Sequence, residues 1–147
     1  IVERSKRYNT GHEEWFEYYQ LQWDVQFLKE QLYQKLQQNA SLLNLPFYKK
    51  EQDTHINKTV NVSTNNIVII EGIFLLRDEW RNFYDYIIFL DCPKELRYER
   101  VLQRDTYIGD VEARFEKYNN RYWVAEEYYL KMQQPYELAH TIQYSKK

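Results

Sequence analysis

The sequence predicts a three-layer α/β domain in which a parallel sheet is covered by helices on both faces. Two short aliphatic runs carry this prediction, residues 67–70 and 86–90, and each is followed by an acidic residue. Runs that are apolar at every position are typical of central strands, because helices bury both faces of such strands. Residues 93–105 follow the second run and have the pattern of a helix. Ligands of open α/β sheets bind at the carboxyl ends of the strands, where Glu71 and Asp91 are predicted to lie.

The composition fits a single domain over residues 1–147, because a chain of 147 residues can bury a sizeable hydrophobic core. A net charge of −2 gives no electrostatic reason to expect nucleic acid or an anionic membrane as a partner. The single cysteine, Cys92, argues against a disulfide scaffold and favours a reducing, cytoplasmic location. No apolar run approaches the roughly 20 residues of a membrane-spanning helix. We therefore predict a cytoplasmic protein without membrane or nucleic-acid partners, and leave a homo-oligomer open.

Residues 1–10 are predicted to form a loop. The basic residues of this loop, which follow no helical or strand period, are Arg4, Lys6 and Arg7. The loop has two interpretations, a solvated tail or a phosphate-facing segment beside an active site. Residues 13–39 then predict a helix with a break near Trp23, where Asp24 can cap a second helical segment.

Residues 46–48 and 59–62 have the composition of short strands and flank a polar stretch that contains His55. We therefore predict a hairpin over residues 46–62. Its Tyr48 has two interpretations, either a ring that stacks on a flat ligand or a half-buried residue of a surface loop.

The helix predicted over residues 93–105 carries three arginines on one face. At 100° per residue, Arg97, Arg100 and Arg104 lie within roughly 60° of one another. Three guanidinium groups beside a strand-end acid suit a phosphate ligand with several charges. The alternative is a solvated face on which the arginines pair with neighbouring acids. These acids are Glu95, Glu99 and Asp105.

The remainder of the chain predicts a long helix over residues 111–132, which ends before Pro135. Residues 140–144 alternate as an edge strand does, and a short tail follows at Lys146 and Lys147. Within the long helix, basic residues recur three and four positions apart. They are Arg114, Lys117 and Arg121.

Together these residues resemble the uridine kinase-like branch of the P-loop nucleoside kinases. The shared pattern is an apolar strand into Glu71-Gly72-Ile73, a second strand into Asp91, and a helix with Arg97-x-x-Arg100 and then Arg104-Asp105. The resemblance implies a P-loop NTPase-type sheet, ATP and Mg²⁺ as cofactors, and phosphoryl transfer to a hydroxyl of a small nucleoside-like substrate. Uridine and cytidine are the first choices, and pantothenate, nicotinamide riboside and other small alcohols stay open.

The resemblance also implies roles for single residues. Glu71 would hold Mg²⁺, for which a carboxylate is a suitable ligand, although the same residue can instead cap the next turn. Arg100 and Arg104 would stabilise the charge of the transferred phosphoryl group, and Arg97 would join them at the nucleotide. The residues expected to contact the acceptor are Asp24 at the sugar hydroxyls, Tyr48 by stacking and His55 by hydrogen bonding.

The chain departs from this family in several ways. Its glycines, Gly11, Gly72 and Gly109, do not form the phosphate cradle G-x-x-x-x-G-K-[ST]. We therefore expect the chain to be the C-terminal part of a domain that lacks its first βαβ unit with the Walker A loop, and to have little activity alone. A lid is implied over residues 104–121, but its usual Arg-Gly-Arg is absent, so that Arg114 or Arg121 would substitute unless these residues form a solvent-facing stripe. The rival interpretation is a non-catalytic nucleotide- or protein-binding module.

Overall fold

The computed structural model describes residues 1–145, which contain seven α-helices and four short strands. The strands are β1 (Leu42–Lys49), β2 (Thr54–Asn61), β3 (Ile88–Asp91) and β4 (Thr141–Tyr144). The α-helices are α1 (Glu14–Gln20), α2 (Val25–Leu28), α3 (Lys35–Gln37), α4 (Lys94–Arg104), α5 (Val111–Lys117), α6 (Trp123–Gln133) and α7 (Pro135–Leu138). Short 3₁₀ turns lie at Arg4–Lys6, Arg81–Phe83 and Thr106–Ile108, and π-helical stretches lie at Lys29–Gln34 and Tyr118–Tyr122. The predicted tail at Lys146 and Lys147 lies outside the described residues.

A parallel pair of strands confirms part of the predicted sheet. β3 runs beside β4 in the register that places Ile88 opposite Thr141 and Asp91 opposite Tyr144. The pairing begins where the backbone amides of His140 and Thr141 donate to the carbonyl oxygen of Ile87, at 3.0 and 3.1 Å. Asp91 therefore lies at the carboxyl end of a parallel strand, directly before α4, as the sequence predicts.

The prediction of a central strand at residues 67–70 is wrong for the part of the chain that the structure describes. This segment pairs with no strand among residues 1–145, and the side chains of Ile67 and Ile69 are 92% and 85% exposed. Its composition favours a strand, but a strand is stable only when a neighbour accepts its backbone hydrogen bonds. β3 shows a related feature, since Ile88 and Leu90 on one of its faces are 60% and 72% exposed.

The hairpin is antiparallel and longer than the two short strands predicted for it. β1 and β2 pair from Leu42 opposite Asn61 to Lys49 opposite Thr54. This register places Tyr48 directly opposite His55, so that both side chains lie at the same end of the hairpin.

The helices follow the predicted boundaries closely. The helix predicted over residues 13–39 is broken between α1 and α2, and the Asp24 carboxylate caps α2 by accepting from the amide of Phe27 at 3.0 Å. The long helix predicted over residues 111–132 is continuous from α5 through the π-helical stretch into α6. Among residues 1–145, no helix combines the length and the apolar character that crossing a membrane would need.

Aromatic side chains form the core. The rings of Tyr19 and Phe74 meet edge to face at 5.1 Å between centroids, and Phe74 also contacts Tyr129 at 5.3 Å. Such contacts join α1 and α6 to the loop that follows residue 70. A second cluster is formed by Val101, Tyr118 and Trp123, and it packs α4 against the long helix. The second cluster holds α4 and its arginines against the long helix.

Candidate functional site

The Arg97 side chain binds to other groups of the protein. Its Nε donates to the carbonyl oxygen of Cys92 at 2.9 Å, and its NH1 group pairs with the carboxylate of Glu126 on α6. The side chain is half-buried, with 34% of its surface exposed. Arg97 therefore braces the start of α4 against α6, and its predicted contact with a nucleotide would compete with these bonds.

Arg100 and Arg104 are the exposed members of the arginine face. The Arg100 guanidinium lies 3.7 Å from the Cys92 sulfur, and the Arg104 side chain is 72% exposed. Residues four positions apart on a helix are neighbours on its surface, so the two guanidinium groups can approach one anion. Guanidinium groups bind phosphate oxygens through pairs of hydrogen bonds. This part of α4 is chemically suited to an anionic ligand.

Asp105 fixes the end of α4. Its carboxylate is buried, and it accepts from Arg104 Nε at 2.6 Å, from Arg104 NH2 at 3.1 Å and from the hydroxyl of Tyr118. The hydrogen bond from Arg104 lowers the pKa of Asp105 below its usual range, with a further contribution from Tyr118. The carboxylate therefore stays ionised and orients the Arg104 guanidinium. This pair was anticipated by the solvated-face interpretation, but the burial of Asp105 was not.

Glu71 is exposed and has no hydrogen bond or ion pair to any residue among 1–145. The alternative in which Glu71 caps the next turn is therefore not observed in the described part of the chain. At Gly72, an added Cβ would meet the Leu75 side chain at 3.4 Å, which is an ordinary contact. Residues 1–145 contain no cluster of three or more potential metal ligands, so Glu71 would have to act with oxygen ligands from elsewhere.

Tyr48 and His55 lie together at the end of the hairpin, with ring centroids 5.5 Å apart. The hydroxyl of Tyr48 donates to Asp53 Oδ1 at 2.6 Å, and it accepts from Arg7 NH2 at 3.2 Å. His55 Nε2 lies 2.7 Å from the carbonyl oxygen of Ile1. Because a carbonyl oxygen only accepts, Nε2 is the donor in this contact.

The first residues of the chain lie against this hairpin. Arg7 is buried, and the carboxylate of Glu3 lies 3.3 Å from His55 Nδ1. Neither interpretation of the basic loop describes this arrangement fully, because Arg7 is neither solvated nor directed at open space. Aperiodic segments give no signal in the sequence for such packing, so the contact between Arg7 and Tyr48 was missed.

Asp24 is exposed and uses Oδ1 as the cap of α2. Its second oxygen, Oδ2, has no hydrogen-bond partner among residues 1–145. The capping interpretation is confirmed, and the same carboxylate keeps one acceptor for a ligand hydroxyl.

The basic residues of the long helix do not form a solvent-facing stripe, and this prediction is wrong. Arg121 is fully buried and donates to Glu17 Oε2 at 3.1 Å, and Arg114 is buried and donates to the carbonyl oxygen of Gly109. Lys117 pairs with Glu14 at 2.6 Å. A buried cation is stable only with partners at hand, so these side chains bind to the protein itself. In this structure, Arg114 and Arg121 are not available as substitutes for lid arginines.

The hairpin also touches the segment predicted as a lid. The Lys50 ammonium lies 5.1 Å from the ring centroid of Tyr107, which is 72% exposed. A cleft of about 340 Å³ lies between α1, the Thr106–Ile108 turn and α5. Its lining residues are Glu14, Ile108, Ala113, Glu116, Lys117 and Asn120. The N-terminal residues, the hairpin end and the Thr106–Ile108 turn are thus linked by direct contacts.

Comparison with solved structures shows the same architecture in a possible uridine kinase from Bacillus stearothermophilus. The two chains superpose with a TM-score of 0.80 and 45% sequence identity, over 97% of this chain and 66% of that chain. The chain therefore has an α/β fold with a parallel sheet and helices, similar to that of a P-loop kinase.

Curated relatives and a family model agree with this likeness. A uridine kinase from Lactobacillus helveticus is 31% identical over 105 residues, which are 71% of this chain and 46% of that protein. A uridine kinase from Haemophilus influenzae is 40% identical over 68 residues, which are 46% of this chain and 32% of that protein. The chain thus covers less than half the length of either relative. Since residues 2–133 match the model of the phosphoribulokinase/uridine kinase family, the chain belongs to that family.

Proposed function

We propose that the intact protein is an ATP-dependent phosphotransferase that phosphorylates a hydroxyl group of a small nucleoside-like substrate. Uridine and cytidine are the first choices, because the named relatives are uridine kinases. The observation that carries the proposal is the exposed pair Arg100 and Arg104, one helical turn apart on α4. Cations in this position suit a transferred phosphoryl group, whose charge is spread over several oxygens.

In this proposal, each predicted residue has a defined task. Glu71 is an exposed carboxylate without a partner among residues 1–145, and it offers the oxygen ligand that Mg²⁺ prefers. When bound, Mg²⁺ supplies positive charge at the phosphate oxygens. Arg100 and Arg104 hold the phosphoryl group through hydrogen bonds, and Asp105 keeps Arg104 oriented. Arg97 acts mainly on the position of α4 and reaches the nucleotide only if it releases Glu126.

The acceptor substrate is assigned to the hairpin side of the protein. The ring of Tyr48 offers a face on which a flat base can stack, at little cost in conformational entropy. Asp24 Oδ2 is free to accept from a sugar hydroxyl. His55 lies beside Tyr48, but its Nε2 and Nδ1 face Ile1 and Glu3, so a hydrogen bond to the base requires one of these contacts to open.

We also propose that the chain is the C-terminal part of a larger kinase domain. Residues 67–70 have strand composition but no partner among residues 1–145, and their exposed isoleucines would be buried by a neighbouring layer. The Bacillus stearothermophilus chain is covered over only 66% of its length, which leaves room for an additional strand and a phosphate-binding loop. Without such a loop, we expect residues 1–147 alone to have little activity.

Steady-state kinetics of the complete protein would test this function. ADP release is measured with a panel of nucleosides, pantothenate and nicotinamide riboside. We expect Arg100→Ala and Arg104→Ala each to lower kcat by about 100-fold, the usual effect of removing one group that stabilises the transition state. Arg81→Ala is the matched control and should leave kcat unchanged, because Arg81 is a surface arginine whose one ion pair among residues 1–145 is with Asp78.

Two outcomes would contradict the proposal. If ATP binds but no compound in the panel causes ADP release, the chain is better described as a nucleotide-binding module. If the variants at Arg100 and Arg104 keep full activity while ADP is released, the arginine face does not contact the phosphoryl group.

A further inference from the structure

Arg7 is a buried arginine, and its side-chain acceptors among residues 1–145 are all uncharged. It is 6% exposed, and it donates to the Val2 carbonyl at 2.9 Å, to Gln22 Oε1 at 3.5 Å and to the Tyr48 hydroxyl at 3.2 Å. Its guanidinium carbon also lies 4.8 Å from the ring centroid of Tyr8. Burial of a guanidinium group without a carboxylate partner is costly, so the contacts it makes must compensate.

Tyr48 is the side chain that links Arg7 to Asp53. The guanidinium of Arg7 lies 5.5 Å from the Tyr48 ring centroid and donates to its hydroxyl. On the other side, the same hydroxyl donates to Asp53 Oδ1 at 2.6 Å. Asp53 is itself held by the backbone amide of Arg4, at 2.9 and 3.2 Å from its two oxygens. The hydrogen bond from Tyr48 lowers the pKa of Asp53, with a further contribution from the Arg4 amide.

The phenol of Tyr48 is therefore held between one donor and one acceptor, both of which are fixed from outside its strand. A side chain held in this way loses little rotational freedom when a ligand binds to its ring. The residues that restrain it lie on segments separated in sequence, since Arg7 belongs to the first residues of the chain and Asp53 to the turn between β1 and β2.

We propose that Arg7 is a positioning residue for the acceptor substrate, and that it acts by fixing Tyr48 together with Asp53. This inference rests on the proposed function, in which Tyr48 stacks on the base of a nucleoside. Arg7 does not itself touch the phosphoryl group in this assignment. Its loss should therefore weaken binding of the nucleoside while leaving the use of ATP unchanged.

The test compares variants of the complete protein. We expect Arg7→Gln to raise the KM for the nucleoside by about tenfold, with kcat and the KM for ATP unchanged within about twofold. Arg7→Lys keeps the charge but loses the forked donors of the guanidinium group. Its KM for the nucleoside should therefore lie between those of the wild type and Arg7→Gln. Lys6→Gln is the matched control, because Lys6 is on the same segment, is 67% exposed and, within the described part of the chain, pairs with Glu3 alone. It should behave as the wild type.

A double variant tests whether Arg7 acts through Tyr48. In a Tyr48→Phe background the hydroxyl that Arg7 contacts is gone, so Arg7→Gln should change the nucleoside KM by no more than about threefold. A full effect in that background would overturn the proposal, as would an unchanged KM in Arg7→Gln alone. If Arg7→Gln does not fold, the intermediate KM of Arg7→Lys carries the test, and wild-type behaviour of Arg7→Lys would overturn it.

Hydrogen exchange separates failure of this inference from failure of the proposed function. If the wild-type protein phosphorylates no compound in the panel, the function is wrong, and the restraint on Tyr48 is measured directly. Arg7→Gln should then speed amide exchange in residues 49–54 by about tenfold relative to Lys6→Gln, because the hairpin end loses its anchor. Equal exchange in the two variants would overturn the positioning role of Arg7 even without activity.

Discussion

Asp105 shows how a single carboxylate fixes the arginine face. It is 3% exposed and accepts from the exposed Arg104 and from the buried Tyr118, so its removal would leave the Tyr118 hydroxyl buried without an acceptor. We expect Asp105→Asn to lower the free energy of unfolding by about 2 kcal/mol, the usual cost of such a loss. Urea denaturation at pH 7 measures this, and Glu112→Gln on the exposed surface of α5 is the control.

The same residue predicts a pH dependence. The pKa of Asp105 is lowered in the folded protein, so folding is favoured by its ionised form. Its contribution is complete above the unfolded pKa of about 4 and is lost as the pH falls through the lower, folded value. The stability difference between the wild type and Asp105→Asn should therefore shrink between neutral and acidic pH. A difference that stays constant down to pH values of about 2 would contradict the ionised state assigned to Asp105.

Single residues also mark the limit of what the sequence predicts. The family resemblance assigned Tyr48 and His55 to one hairpin, and the capping role of Asp24 follows from its place before a helix. The position of Arg7 could not be predicted, since it belongs to a segment without a helical or strand period and without a motif. Contacts between distant segments depend on the fold of the whole chain, which local patterns do not contain.

At the scale of elements, the helix from α5 to α6 shows that its spacing of basic residues does not indicate a solvent-exposed face. The spacing of Arg114, Lys117 and Arg121 is that of a solvated face, but Arg121 is 0% exposed and joins the π-helical stretch to α1. Burial opposes ionisation of its partner Glu17, and hydrogen bonds from Thr10 and Arg121 outweigh this effect, so the pKa of Glu17 is lowered. Spacing predicts that side chains share a face, but it does not predict which neighbour covers that face.

This ion pair gives a prediction about helix packing. Arg121→Met should lower the free energy of unfolding by about 3–5 kcal/mol, because it leaves the Glu17 carboxylate buried without its cation. Lys117→Met is the matched control on the same helix. Lys117 also pairs with α1, through Glu14, but both side chains are partly exposed, at 27% and 43%. We expect that control to cost less than about 1 kcal/mol. Equal losses in the two variants, measured by urea denaturation, would show that burial does not determine the strength of these pairs.

At the scale of the whole molecule, the sheet is only partly predictable. β3 and β4 pair in parallel as their composition indicates, and α4 follows the strand end as expected. Residues 67–70 have an equally strong strand composition but no partner among residues 1–145. Composition sets the tendency to form a strand, whereas pairing requires a second strand in the right place. Residues 67–70 therefore stay unpaired because no second strand lies beside them among residues 1–145. We expect them to be buried when a neighbouring strand is present.

The exposed isoleucines of this segment test that argument. In residues 1–147 alone, replacing Ile67 and Ile69 with lysine should change the free energy of unfolding by less than about 0.5 kcal/mol, because surface positions contribute little. In the protein extended by the upstream segment that we propose, the same two isoleucines become buried. Each replacement should then cost about 2 kcal/mol or more, the value of a buried aliphatic side chain.

The free energy of unfolding is measured both for residues 1–147 and for the protein extended by the upstream segment. Urea denaturation is carried out on the wild type and on the double variant Ile67→Lys/Ile69→Lys in each length. Met132→Lys on α6 is the control, because Met132 is 54% exposed and lies on a helix that is already packed, so its effect should be small in both. If the double variant loses the same stability in both lengths, or none in either, no upstream strand covers residues 67–70. A loss confined to the longer protein would mean that the proposed upstream segment, in which we also expect the phosphate-binding loop, buries residues 67–70.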